Sequence, residues 1–131
     1  MLPPRETVSV RGTDLEVLIM GSGEPPLFLH GESCPDVPSG AFISELARNF
    51  RVIAPFHRGF GSRDRPGNIR EIGDLAYLYF DLIDNLGLSD VVIVGASFGG
   101  WIAAEIAIRN SRPLSQLIFC RTLRCRAPYR S

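Results

Sequence analysis

One hydroxyl in this chain is set where it could act as a nucleophile. In VVIVGASFGGW, Val91 to Trp101, an apolar run stops at a glycine, a serine follows, and two more glycines precede a helical pattern. Gly95-Ala96-Ser97-Phe98-Gly99 has the form G-x-S-x-G. A strand that reverses into a helix almost at once forces its corner residue toward positive φ. The two backbones then nearly touch, so the positions two before and two after must be glycine or very small. Gly95 and Gly99 meet that demand, and Gly100 relaxes it further. Such a corner holds the Oγ of Ser97 out at the C-terminal edge of the sheet. The amide of Phe98, at the positive end of the following helix, points at the same space and could donate to a developing oxyanion. This is equipment for acyl transfer through a serine. The plainer reading is a tight turn with an N-capping serine. A dinucleotide-type phosphate turn does not fit, because Ser97 stands where G-x-G-x-x-G needs its second glycine.

Composition narrows the field. The chain has 131 residues, 45% hydrophobic and 21% charged, which fits one globular domain at most and is long enough for a real core. All 14 basic residues are arginine, which excludes a Walker-type phosphate loop with its lysine. Formal net charge is zero, so nothing draws the chain globally to nucleic acid or anionic membrane. No apolar run approaches the ~18 residues of a spanning helix, and MLPPRETVSV lacks a signal-peptide core. Three cysteines, Cys34, Cys120 and Cys125, make a disulfide framework improbable and favour a reducing, cytoplasmic setting. Cys34 reads as a free thiol, and Cys120-x4-Cys125 lacks the further ligands a zinc site needs. Neither a metal nor a cofactor is expected.

The elements that must position Ser97 follow from periodicity. Thr7–Val10 and Leu15–Met20 read as two antiparallel strands about a turn at Gly12-Thr13-Asp14. Leu27-Phe28-Leu29 is a short buried strand. Phe42, Ile43, Leu46 and Ala47 share a helical face. RVIAPF is a strand, and HRGFGSRDRPGN a glycine-rich loop. Ile72, Leu75, Tyr79, Leu82 and Leu86 recur at helical spacing, with Gly87 as a stop. DVVIVG is a continuous apolar strand of the kind buried on both faces, FGGWIAAEIAIRN a helix and LSQLIF a last strand. Alternation after the opening hairpin predicts an α/β fold: a mostly parallel sheet with an antiparallel N-terminal strand and helices on both faces.

Three segments, in order, resemble the α/β-hydrolase superfamily. LFLHGE (Leu27–Glu32) is similar to its strand 3 and His-Gly oxyanion loop, VIAPFHRGFGSRD (Val52–Asp64) to its strand 4 and following glycine loop, and VVIVGASFGGWIAAEIA (Val91–Ala107) to its strand 5, nucleophile elbow and helix C. The resemblance implies that Ser97 is the nucleophile attacking an ester, thioester, amide or related carbonyl of a small-molecule substrate. It implies the amide of Phe98 as one oxyanion donor, a second from Glu32 or a neighbour, Gly31 as the residue that lets that backbone approach, and Gly95 and Gly99 as the elbow glycines. His30 reads as a loop-stabilising histidine and Trp101 as helix packing. A serine at the elbow argues against the dehalogenase branch, which places an acid there.

The resemblance also exposes a departure. The family order is Ser, then Asp or Glu, then His, whereas beyond Ser97 the only acid is Glu105 and there is no histidine. The expectation is a single partial domain over 1–131, with a core at 6–120 and an irregular basic tail at 121–131. From Ile106 onward there are six arginines and no acid. The tail is read as out of frame or prematurely ended, against a solvated basic tail or a nucleic-acid arm. A Ser97–His57–Asp64 arrangement is conceivable but disfavoured, since the loop after strand 4 is structural in the family. Two functions remain open: a serine-dependent hydrolase, in a truncated form, or a non-catalytic module on the same fold. Strand 6 would be a bare apolar edge, predicting self-association there.

Overall fold

The computed structural model describes residues 5–10, 12–31, 40–57 and 71–120. The elements are β1 (Glu6–Val10), β2 (Thr13–Met20), β3 (Leu27–Leu29), α1 (Gly40–Leu46), β4 (Val52–Pro55), α2 (Ile72–Asn85), β5 (Val91–Ala96), α3 (Phe98–Arg109) and β6 (Leu114–Cys120). The strands form one sheet in the order β1-β2-β4-β3-β5-β6. β2 pairs antiparallel with both β1 and β4, while β3, β4, β5 and β6 pair in parallel. A single strand, β2, therefore runs against the rest, which is the mostly parallel sheet with an antiparallel N-terminal strand that alternation predicts. The opening turn is tighter than expected. Val10 pairs with Thr13, so two residues separate the strands, and Thr13 and Asp14 belong to β2. Gly12, with φ of 74°, takes the positive dihedral a two-residue hairpin loop demands.

Alternation along the strands sorts the core onto two faces. Leu15, Val17, Leu27, Leu29, Ile53, Val91 and Ile93 point to one side and pack with Leu75, Tyr79, Leu82 and Ile83 of α2 and Ile102, Ala103 and Ile106 of α3. Leu18, Phe28, Val52, Ala54, Val94 and Ala96 point to the other and pack with Ile43 of α1. Each fully buried Leu, Ile or Phe contributes roughly 1.5–3 kcal/mol, so these layers hold the central strands in register beneath the site. Helix α2 begins where the carboxylate of Asp74 accepts the backbone N–H of Glu71 at 3.1 Å, and it stops at Gly87, whose φ is 67°. Helices α2 and α3 are clasped by Arg109, which pairs with Glu105 and lies 5.3 Å over the ring of Tyr77. Gly73 leaves room for that guanidinium, since a Cβ there would run into it.

Candidate active site

β5 ends at Ala96, and α3 starts at Phe98. Ser97 alone makes the corner, with φ of 55° and ψ of −113°. It occupies the N-cap position, yet its side chain makes no capping hydrogen bond, which removes the main physical content of the plain capping reading. Backbone contacts fix the corner. The N–H of Ser97 donates to the carbonyl of Cys120 at 2.8 Å, and its own carbonyl accepts from Gly100 at 2.9 Å. A Cβ on Gly95 would lie 2.6 Å from the Cα of Gly100 and 2.7 Å from the Gly99 carbonyl oxygen. A Cβ on Gly99 would overlap the carbonyl oxygen of Leu29 and lie 2.6 Å from that of His30. Both glycines are thus required by close approach of the backbone, although neither has a positive φ.

The chain that leaves β3 packs against this corner at Gly31. A Cβ on Gly31 would stand 3.4 Å from the Cβ of Ser97 and 3.3 Å from the Ala96 carbonyl oxygen. Ser97, Phe98, Gly31, Gly95 and Gly99 therefore meet at one point on the sheet's C-terminal edge. Helix geometry directs the first-turn amides of α3, Phe98 included, out of its positive end. Glu32 lies outside the described residues, as do Cys34, Gly59-Phe60-Gly61, Asp64, Cys125 and the tail at 121–131.

Beneath Gly31 the two histidines stack, with ring centroids 3.7 Å apart. Both are buried. The backbone N–H of His57 donates to Nε2 of His30 at 2.9 Å, and Nδ1 of His30 meets the Gly31 carbonyl at 2.6 Å. Nε2 of His57 meets the His30 carbonyl at 2.8 Å, and its Nδ1 meets the Tyr79 hydroxyl at 2.5 Å. Burial, reinforced by the neighbouring His30, holds His57 well below the usual histidine pKa, and burial pushes the Tyr79 phenol up. The ring nitrogens of His57 thus face Tyr79 and His30, an arrangement that does not supply Ser97 with a base. Tyr79 was legible from sequence only as a core position on α2; its partner is 22 residues away, and no local pattern announces such a pair.

Two further residues bear on the site. Glu105 is tied to Arg109. Trp101, expected to pack along α3, is instead 59% exposed, with its ring edge-on to Phe98 at 6.0 Å. It follows two glycines on the outer turn of the helix and has no layer above it there among the described residues. Those residues hold no cluster of three His, Cys, Asp or Glu side chains. None of their helices is long and apolar enough to cross a membrane. A groove of about 280 Å³ opens elsewhere, among Pro26, Leu46, Val92, Val94, Gln116 and Ile118, and Ser97 does not line it.

Comparison with known proteins decides the family. The family model described as the alpha/beta hydrolase fold matches residues 26–128. The chain belongs to the α/β-hydrolase family. This hydrolase-fold chain is 35% identical over 102 residues to a 2-hydroxymuconate semialdehyde hydrolase of Pseudomonas putida, covering 75% of the chain and 36% of that protein. It is 34% identical over 108 residues to epoxide hydrolase 2 of Siraitia grosvenorii, covering 74% of the chain and 32% of that protein. Among solved structures it superposes on the meta-cleavage product hydrolase of Pseudomonas fluorescens IP01 with a TM-score of 0.76 at 28% identity, covering 86% of this chain and 43% of that one. A thermophilic esterase from Thermogutta terrifontis gives a TM-score of 0.74 at 30% identity, with 98% and 48% covered. The chain spans about a third of the length of the curated relatives it matches.

Proposed function

We propose that this α/β-hydrolase chain carries the nucleophile and oxyanion side of a serine hydrolase acting on a small-molecule ester, thioester or related carbonyl. Ser97 attacks the carbonyl carbon, the oxyanion is received by the amide of Phe98 and by the loop that begins at Gly31, and an acyl-serine forms and is hydrolysed. The observation that carries this reading is the packing of Gly31 against the positive-φ corner at Ser97. A hydroxyl held in strained backbone, uncapped and faced by a glycine loop, has no evident structural task. The names of the similar proteins, among them a 2-hydroxymuconate semialdehyde hydrolase and an esterase, suit a carbonyl substrate. The odd number of cysteines favours a cytoplasmic setting.

Ser97 still needs a base, and the sequence after it holds one acid, Glu105, and no histidine. Hydrolases stripped of triad members keep roughly 10³–10⁴-fold of their acceleration from the oxyanion hole and binding alone. On the serine-hydrolase reading a base reaches Ser97, a fluorophosphonate probe labels the chain there, and Ser97→Ala abolishes the label. A wild-type chain that takes no label under saturating probe would assign it instead to the non-catalytic use of the same fold. The partner proposed for β6 is a second copy of the chain, because Ile118 and Phe119 are 40% and 58% exposed on that edge strand.

A further inference from the structure

We propose that Tyr79 and His57 are positioning residues that set the His30–Gly31 peptide beside Ser97, Tyr79 by fixing the tautomer of the buried His57 ring. This rests on the reading of Ser97 and Gly31 given above. The carbonyl of His30 can only accept, so the His57 nitrogen that meets it, Nε2, carries the proton. A neutral ring then leaves Nδ1 bare, and the Tyr79 hydroxyl donates to it. His57 also donates its backbone N–H to Nε2 of His30, so that nitrogen is bare as well. The remaining proton of His30 lies on Nδ1 and is donated to the Gly31 carbonyl. Four hydrogen bonds thus run in one direction, from the Tyr79 hydroxyl on α2 to the Gly31 carbonyl. Reversing any one of them sets donor against donor or acceptor against acceptor.

The consequence for the site comes from the planarity of the peptide. A trans peptide points its N–H away from its carbonyl. Holding the His30 carbonyl on the His57 ring therefore aims the Gly31 N–H, which shares that peptide, to the opposite side. The His30 carbonyl is confined from a second direction by the first turn of α3, where Gly99 has no room for a Cβ. His57 thereby ties the loop after β3 to the start of the elbow helix. The neutral state that the lock needs agrees with the depressed pKa of His57, whose cause is burial.

The chain contains two histidines, so the imidazole nitrogen spectrum of the ¹⁵N-labelled protein holds two rings only. The expected spectrum has one ring as the Nε2–H tautomer and the other as Nδ1–H, with the His57 ring not titrating through the ordinary histidine range near pH 6.5. Tyr79→Phe, which leaves Nδ1 of His57 without its donor, is expected to loosen the ring and shift the Gly31 amide resonance, with the β1–β2 hairpin resonances unmoved. His57→Gln, which can still donate to the His30 carbonyl and accept from Tyr79, is expected to preserve the Gly31 position. If the wild-type chain takes the fluorophosphonate label, Tyr79→Phe should slow labelling about tenfold, the worth of roughly one hydrogen bond. Two rings in the same tautomer, a His57 ring that titrates normally, or a Gly31 resonance indifferent to Tyr79→Phe would overturn the lock. A wild-type chain that fails to label would overturn the catalytic reading alone, because the tautomer spectrum is independent of it.

Discussion

Ser97 holds backbone dihedrals that cost a residue with a side chain roughly 1–3 kcal/mol, so its surroundings must over-determine them. They do so with the bonds to Cys120 and Gly100 and with the close backbone approach that Gly95, Gly99 and Gly31 permit by lacking a Cβ. His57 stores a cost of another kind, a titratable ring kept neutral in the interior beside His30 and Tyr79. Its folded-state pKa lies below the unfolded value of about 6.5, so the unfolded chain binds the proton more readily. Stability is therefore full above roughly pH 6.5 and falls below it by about 1.4 kcal/mol per pH unit, until the folded pKa is passed. Urea-unfolding midpoints between neutral pH and the onset of carboxylate titration should show that slope, and His57→Gln should flatten it. A wild-type midpoint independent of pH in that window would contradict the buried neutral ring.

Among the elements, the elbow depends on β3, β5 and α3 approaching without side chains between them. Gly99→Ala would place a methyl group on the carbonyls of Leu29 and His30, which belong to backbone and cannot swing aside. The expected loss is about 3 kcal/mol, at the upper end of overpacking costs, read as a lower midpoint in chemical denaturation; a loss under about 1 kcal/mol would show that the two backbones can separate. Much at this scale was legible in the sequence. The apolar run Val91–Val94, followed by glycines spaced around Ser97, specifies strand, corner and helix because each signal is local. The hairpin and α2 were readable for the same reason, though the turn proved one step earlier than Gly12-Thr13-Asp14. What stayed hidden is non-local. No periodicity says that β4 lies between β2 and β3. Nor does any say that Tyr79, one apolar-face residue among several on α2, would hold a histidine from the end of another strand. Trp101 misled for a related reason, since a large aromatic on a helix suggests packing, while its exposure depends on what lies above the helix.

At the scale of the sheet, β1 and β6 are the two outermost strands among the described residues. β1 ends it on one side, and β6, with seven residues from Leu114 to Cys120, ends it on the other. β6 contains no charge and no proline, the two devices that commonly protect an edge strand from pairing. Its side chains also leave apolar surface on both faces. Phe119 lies over Gly100 on the α3 side and is 58% exposed. Ile118 borders the groove shared with Leu46, Val92 and Val94 on the α1 side. A second chain adding its own β6 would satisfy the outer backbone groups and cover both side chains in one step, joining two sheets about a two-fold axis. The chain is therefore expected to show concentration-dependent dimers in sedimentation velocity. Ile118→Lys should shift it to monomer, because a lysine in each copy would bring two like charges to the shared edge. Intact β-sheet circular dichroism in the variant would show that the charge acted on pairing and not on folding. A wild-type chain that stays monomeric up to high micromolar concentration would rule this edge out as a self-association surface.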